Sequence, residues 1–362
     1  MLKKTIAQLK PYIPETPLPE LEKQLGVSPI VRLSANENPF GTSPKVKEAV
    51  QHFDFTTTRE YPDGDANQLR QAVAEFLHVD GEQLLFGCGL DEVIELTART
   101  FLEAGDEIVE PWPTFSEYKL HCQIEGTTIV DVPVKADGSF DADALIAAIG
   151  PQTKLLWLCN PNNPTGSYMP LVELRALLQR VPKHVLVMID EAYFEFVTAE
   201  DTSAINLLPE FDNIVVMRTF SKIYGLAGMR VGYAIIPKAL VGAMQAVRLP
   251  YNLNSVSQTA ALAALADQAF VRGIQTRVAV ARKQFCDFLA AQGLEFYPTQ
   301  ANFVFFHAPN GQALHAYLLR HGYLLRDGLR PDWLRLTFGS SKQNAEIQRL
   351  IKAFYAQPLP EA

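Results

Sequence analysis

Val185-Leu186-Val187-Met188-Ile189 runs into Asp190-Glu191-Ala192-Tyr193, and Ile214-Val215-Val216-Met217 runs into Arg218-Thr219-Phe220-Ser221-Lys222. Both segments open with an unbroken apolar run and then switch abruptly to polar residues. A strand with one wet face alternates apolar and polar, so an unbroken run marks a strand covered on both faces. Leu155 to Cys159 is a third run of this kind; Gln83 to Phe86, Glu107 to Val109, Thr128 to Val132 and Arg230 to Ile236 complete the candidate strands. Helical stretches lie among them at Lys45 to Phe53, Asn67 to Leu77, Asp91 to Leu102, Leu171 to Arg180 and Lys238 to Val247. This alternation predicts an α/β sandwich around a mostly parallel sheet.

The flanks differ in character. Pro11, Pro14, Pro17, Pro19 and Pro29 fill the first forty residues, and proline fixes φ and removes a donor, so the sequence predicts an extended arm there and no helix. Beyond Tyr251 a long alanine-rich helix, Ser257 to Leu289, reads as a connector to a smaller unit. That unit holds strands near Ala301 to His307 and Trp333 to Phe338, with a helix at Gly311 to His321 between them. The expected division is an arm packing with the small domain over 1–40, a large domain over 41–255, and the connector with the small domain over 256–362.

The 362 residues suit two such domains, and 48% hydrophobic against 20% charged residues allows a sizeable core. A net charge of −8 with interspersed signs offers a polyanion little, which argues against nucleic acid as a partner. Cys88, Cys122, Cys159 and Cys286 form no CxxC pair and no zinc-type cluster with histidine, so reduced thiols are expected and no metal site. Met1-Leu2-Lys3-Lys4 lacks the apolar core of a secretory signal, and no apolar run has the length of a membrane span. A cytoplasmic protein is the expectation.

In parallel sheets ligands sit beyond the carboxyl ends of the strands, so the residues following each run carry the chemistry. Lys222 follows the Ile214 strand; burial there would favour the neutral amine, the form that attacks an aldehyde, although a loop lysine on the surface is the plainer reading. Asp190 ends an all-apolar strand, where a carboxylate needs a cation or else serves as a helix cap. A protonated pyridine nitrogen is such a cation. Asn160-Pro161-Asn162-Asn163-Pro164-Thr165-Gly166 makes a stiff loop able to hold an amide against a phenolate oxygen. Gly87-Cys88-Gly89-Leu90-Asp91-Glu92 opens a helix, and small residues with free N–H groups at a helix start suit an anion, though Asp91 also suits a simple cap. Ser221 and Arg230 add a hydroxyl and a guanidinium to that anion site. Phe115, after the Glu107 strand, offers a ring to stack on a flat heteroaromatic or simply to join the core.

Taken together, these residues resemble the fold-type I, class II aminotransferases that use pyridoxal phosphate, and within them the histidinol-phosphate aminotransferases. The resemblance covers essentially the whole chain: Lys10-Pro11-Tyr12, Ser34 to Gly41, Tyr61-Pro62-Asp63, Asn160 to Gly166, Asp190 to Tyr193, Thr219 to Gly232 and Arg335 to Gly339. Ile223 departs from the small residue usual after the lysine, a change expected to touch packing and not chemistry. The resemblance implies a large domain with a mostly parallel seven-stranded sheet between helices and a smaller α+β domain. It implies Lys222 as Schiff-base lysine and proton shuttle, Asp190 at the pyridine nitrogen, and Asn163 and Tyr193 at the ring oxygen. It further implies Gly89, Leu90, Ser221 and Arg230 at the phosphate, Asp91 and Thr219 beside them, and Phe115 on the ring. Tyr61 would reach the phosphate of a neighbouring subunit's cofactor, making a homodimer the active unit. Arg335 would grip the acidic group of the substrate and Arg326 its phosphate, with Tyr12, Asn36 and Asn254 also on the substrate side.

The implied reaction is transamination between histidinol phosphate and 2-oxoglutarate, giving imidazole acetol phosphate and glutamate, in histidine biosynthesis. Phenylalanine or tyrosine as substrate is one alternative, and decarboxylation of threonine phosphate another. A non-catalytic regulator of transcription would carry a basic DNA-reading extension, and the proline-rich arm is not one.

Overall fold

The computed structural model describes residues 2, 4–9, 15–199 and 203–356. In chain order the elements begin with α1 (Leu18–Leu25), β1 (Val31–Arg32), α2 (Pro44–Gln51), α3 (Asn67–Leu77), β2 (Leu84–Cys88) and α4 (Leu90–Phe101). There follow β3 (Glu107–Trp112), α5 (Ser116–Glu125), β4 (Thr128–Pro133), α6 (Ala142–Ala148), β5 (Thr153–Cys159), α7 (Leu171–Leu178), β6 (Leu186–Asp190) and β7 (Ile214–Thr219). The chain closes with β8 (Val231–Ile235), α8 (Lys238–Val247), α9 (Ser255–Leu265), α10 (Gln268–Ala291), β9 (Phe303–His307), α11 (Gly311–Arg320), β10 (Tyr323–Leu324), β11 (Trp333–Thr337) and α12 (Ser341–Tyr355).

Seven strands form one sheet in the order β2-β8-β7-β6-β5-β3-β4. Only β8 runs against its neighbours; β3 to β7 are mutually parallel where they pair. Every residue of β6, β7 and β8 is buried, as the unbroken apolar runs require. The direction of β8 matters for function. Because β8 begins at the edge where the parallel strands end, Arg230, one residue before it, arrives at the same edge as Asp190 and Lys222.

Beyond the large sheet, β9 and β11 pair antiparallel, with Arg335 opposite Phe305, and β1 pairs parallel with β10. Most buried apolar side chains nevertheless join one core from Leu33 to Phe354, while Tyr297, Phe305 and Trp333 form a small separate cluster.

Two expectations need correction. The proline-rich start contains a helix, α1, because Pro19 falls in its first turn, where no intrahelical N–H bond is lost; Gly26 ends it with φ +66°. The alanine-rich connector is two helices, not one. Asp267 interrupts it: its carboxylate accepts the N–H of Phe270 as the cap of α10 and also the hydroxyl of Ser43, at 2.5 Å.

Candidate active site

The carboxyl edge of the sheet gathers most of the residues singled out above. Asp190 ends β6, directly beside Met217 of β7, and the chain beyond β7 turns so that Ser221 N–H bonds to the Thr219 hydroxyl oxygen at 3.0 Å. Lys222 follows that turn. Its amine donates to the Ala35 carbonyl at 3.3 Å and lies 5.6 Å from the centre of the Tyr193 ring. Burial, then the nearby charge of Arg335, lowers its pKa to about 8, so roughly a tenth of the amine is neutral at pH 7, far more than for an ordinary lysine.

Asp190 is 3% exposed. Its Oδ1 accepts the Ala192 N–H at 2.9 Å and its Oδ2 accepts the Tyr118 hydroxyl at 2.5 Å. Burial outweighs these donors and raises its pKa to about 6. Tyr193 is equally buried; its phenol oxygen accepts the Asn36 amide at 3.0 Å, and burial pushes its own titration upward. Asn163 accepts from the Arg335 guanidinium at 2.5 Å. Asn36 ties this group to the far side through Thr337: its N–H reaches the Thr337 oxygen at 3.0 Å, and that hydroxyl returns a bond to the Asn36 side chain at 3.1 Å.

The anion cradle is built from glycines. Gly89, at φ +78°, caps α4, and its N–H bonds to the Arg230 carbonyl at 3.0 Å. A Cβ on Gly89 would sit 2.3 Å from the Arg230 guanidinium, and one on Gly232 would sit 2.7 Å from the Leu90 nitrogen. Only bare backbone lets the helix start approach this closely. The first turn of α4, whose N–H groups have no partner within the helix, starts beside Arg230, whose guanidinium pairs with Asp91 at 3.0 Å. Thr219 shapes the adjoining turn, its hydroxyl donating to the Val231 carbonyl at 3.3 Å.

Arg335 and Arg326 are joined by two backbone hydrogen bonds, of 2.9 and 3.1 Å. Arg335 is buried, its guanidinium also donates to the Ser34 carbonyl, and burial lowers its pKa to about 10. Its Nε and the Asn302 Oδ1 are buried without a hydrogen-bond partner among the described residues. Arg326 is half-exposed and lies 3.8 Å from the Glu15 carboxylate.

Other candidates sit differently. Tyr61 is 82% exposed and stacks on Tyr251, ring centres 4.7 Å apart. Asn254 is exposed and caps α9 by accepting the Ser257 N–H at 2.8 Å, a structural use of its side chain. Phe115 is partly buried, edge-on to Tyr118. Tyr12 lies outside the described residues.

Three residues with no role assigned from sequence stand out. Tyr118, on α5, is Asp190's donor. Arg218 and Glu191 form a buried ion pair at 2.8 Å that ties the end of β6 to the end of β7, and Arg218 also meets Glu195 at 3.3 Å. Both lie inside the motifs quoted above, and an ion within a buried strand end was the available signal; a tyrosine in an ordinary helix gave none.

Residues 28–354 match the family described as aminotransferase class I and II, and the chain belongs to it. The chain is 48% identical over 356 residues to the histidinol-phosphate aminotransferase of Lactiplantibacillus plantarum, covering 98% of this chain and all of that one. Its fold matches the histidinol-phosphate aminotransferase of Sinorhizobium meliloti, solved in complex with pyridoxal-5'-phosphate, with a TM-score of 0.88 at 29% identity over 97% of this chain and 98% of that one. Within the aminotransferases, its place is among the histidinol-phosphate aminotransferases. A threonine-phosphate decarboxylase from Porphyromonas gingivalis superposes with a TM-score of 0.78 over 91% of this chain and all of that one, a likeness of fold alone at 24% identity. No helix among the described residues is long and apolar enough to cross a membrane.

Proposed function

We propose that this aminotransferase binds pyridoxal 5'-phosphate at the carboxyl edge of its sheet and moves the amino group between histidinol phosphate and 2-oxoglutarate. The observation that carries the reading is the convergence, at one edge, of a lysine amine with a depressed pKa just beyond β7 and a buried carboxylate at the end of the adjacent β6.

The donor set fits the cofactor. Gly89, Leu90, Ser221 and Arg230 offer backbone N–H groups, a hydroxyl and a guanidinium for its phosphate, with Asp91 and Thr219 shaping the cradle. Asp190 is a buried anion for the ring nitrogen, and Tyr193 and Asn163 present a phenol and an amide for the ring oxygen. Phe115 supplies an aromatic wall. Bound pyridoxal phosphate supplies an aldehyde that carries the amino group and a ring that accepts electron density. Lys222 anchors it, and the same amine, neutral once freed, takes the proton from the substrate Cα. Arg335 and Arg326, tied by their backbones, orient the substrate's anionic groups, and a fixed guanidinium is suited to carboxylate or phosphate. Asn36 supports Tyr193 through its amide.

Residues 41–255 would form the cofactor domain, with 1–40 and 256–362 forming the smaller one. A cytoplasmic homodimer completes the reading: the exposed, stacked pair Tyr61 and Tyr251 offers an aromatic surface from which Tyr61 would reach the partner's cofactor phosphate.

The test is a substrate panel on the purified protein. Histidinol phosphate with 2-oxoglutarate should turn over faster than phenylalanine, tyrosine or threonine phosphate, and Lys222→Ala should lose both turnover and the visible absorption of covalently held cofactor. Faster turnover of phenylalanine, release of carbon dioxide from threonine phosphate, or full activity in Lys222→Ala would overturn it.

A further inference from the structure

Tyr118 lies in the first turns of α5 and is fully buried. A buried phenol needs an acceptor, and this one has Asp190 Oδ2 at 2.5 Å. Its ring is stacked on Trp157, centres 4.5 Å apart and 10° from parallel, and meets the Phe115 ring at 5.5 Å and 81°. Trp157 belongs to β5, in register with Met188 of β6, so the clamp is fixed to the strand pair that carries Asp190. The hydroxyl therefore cannot swing away without unstacking the ring. With the Ala192 N–H on Oδ1, the two carboxylate oxygens have different donors on different sides, which fixes the plane of the group.

We propose that Tyr118 is a positioning residue for the cofactor: its hydroxyl sets the orientation of Asp190 and favours the carboxylate form that pairs with the ring nitrogen. This rests on the assignment of Asp190 made above. Tyr118 acts through Asp190, and donation to a carboxylate stabilises its anion.

Tyr118→Phe keeps the ring and its stacking and removes one hydroxyl. Titration with pyridoxal phosphate, followed by visible absorption, should show at least about tenfold weaker binding than the wild type, the loss expected for one charge-assisted hydrogen bond. Melting of the cofactor-free wild type, Y118F, D190N and the double variant at about pH 8 then reads the coupling. The hydroxyl's contribution should be larger in the wild-type background, where it donates to a charged carboxylate, than in the D190N background, where it meets only a neutral amide. If Y118F alone does not fold, D190N should restore folding, since the buried charge is removed; a double variant that stays unfolded overturns the proposal. Wild-type affinity in Y118F, or equal losses in both backgrounds, overturns it as well. Failure of the wild type to bind pyridoxal phosphate would sink the assignment of Asp190 together with this proposal, whereas wild-type binding with an unaffected Y118F sinks the proposal alone.

Discussion

Asp190→Asn is expected to stabilise the cofactor-free protein while removing its hold on the cofactor. The Asp190 carboxyl is 3% exposed and titrates at about 6 against an ordinary 3.8, because burial penalises the anion more than its two donors relieve it. A folded pKa above the unfolded one means that the native chain binds more protons between those values. Its stability is therefore fully present below about pH 3.8 and falls as pH rises through about 6. With each pKa unit worth about 1.4 kcal/mol, the anion lowers native stability by about 3 kcal/mol once fully formed. Asparagine has the same shape. Its Oδ1 can keep the Ala192 N–H, and its amide can donate to the Tyr118 hydroxyl, which then accepts. The variant should gain about 2–3 kcal/mol at about pH 8, roughly 3–4 °C in Tm, and the gain should vanish near pH 4. Thermal and denaturant unfolding of both cofactor-free proteins across that range measures it. A variant less stable than the wild type at the alkaline end, or a gain that does not shrink on acidification, would refute the reasoning.

Arg218→Met should lower stability by about 3–5 kcal/mol, because Glu191 and Glu195 would be left buried without their cation; denaturant melts showing a loss under about 1 kcal/mol would contradict this. Asp267→Ala removes the cap of α10 and the acceptor of Ser43, and should lower stability by about 1–2 kcal/mol with cofactor absorption unchanged. Arg335→Lys keeps a charge but loses the planar fork whose separate nitrogens reach Asn163 and Ser34, so a substrate anion is held less firmly. Steady-state kinetics should show KM for the amino acid raised by about tenfold or more with cofactor affinity nearly intact, and an unchanged KM would count against Arg335 as a substrate ligand.

Much of the fold was legible because the strands of this sheet are buried on both faces, so Leu155 to Cys159, Val185 to Ile189 and Ile214 to Met217 read as strands by composition alone. Helices α3 and α8 fall on the predicted residues, and the other predicted helices agree but for their ends. The two failures are local effects overriding a regional signal: one proline placed where a helix tolerates it, and one aspartate that caps a new helix inside an alanine-rich stretch. At the site, strand-end position pointed to Lys222, Asp190 and Asn163, which the structure gathers at one edge. What could not be read was how the side chains pair. That Arg335 would bond to Asn163, 172 positions earlier, or that Tyr118 would reach Asp190, 72 positions later, depends on how the layers dock. The capping use of Asn254 was likewise hidden, because an Asn before a helix and an Asn beside a ligand look alike in sequence.

The electrostatics of the edge explain why one kind of ligand suits it. Burial works against the charge of Asp190, of Lys222 and of Arg335, moving their pKa values to about 6, 8 and 10, each toward the neutral form. A cofactor bringing a ring cation to Asp190 and an aldehyde to the Lys222 amine, joined by a substrate bringing an anion to Arg335, would answer all three. A simple anion would satisfy only the guanidinium, and a simple cation only the carboxylate. Selectivity at this edge thus follows from desolvation that the fold imposes on three side chains from separate elements, and a ligand must match their signs in order to bind.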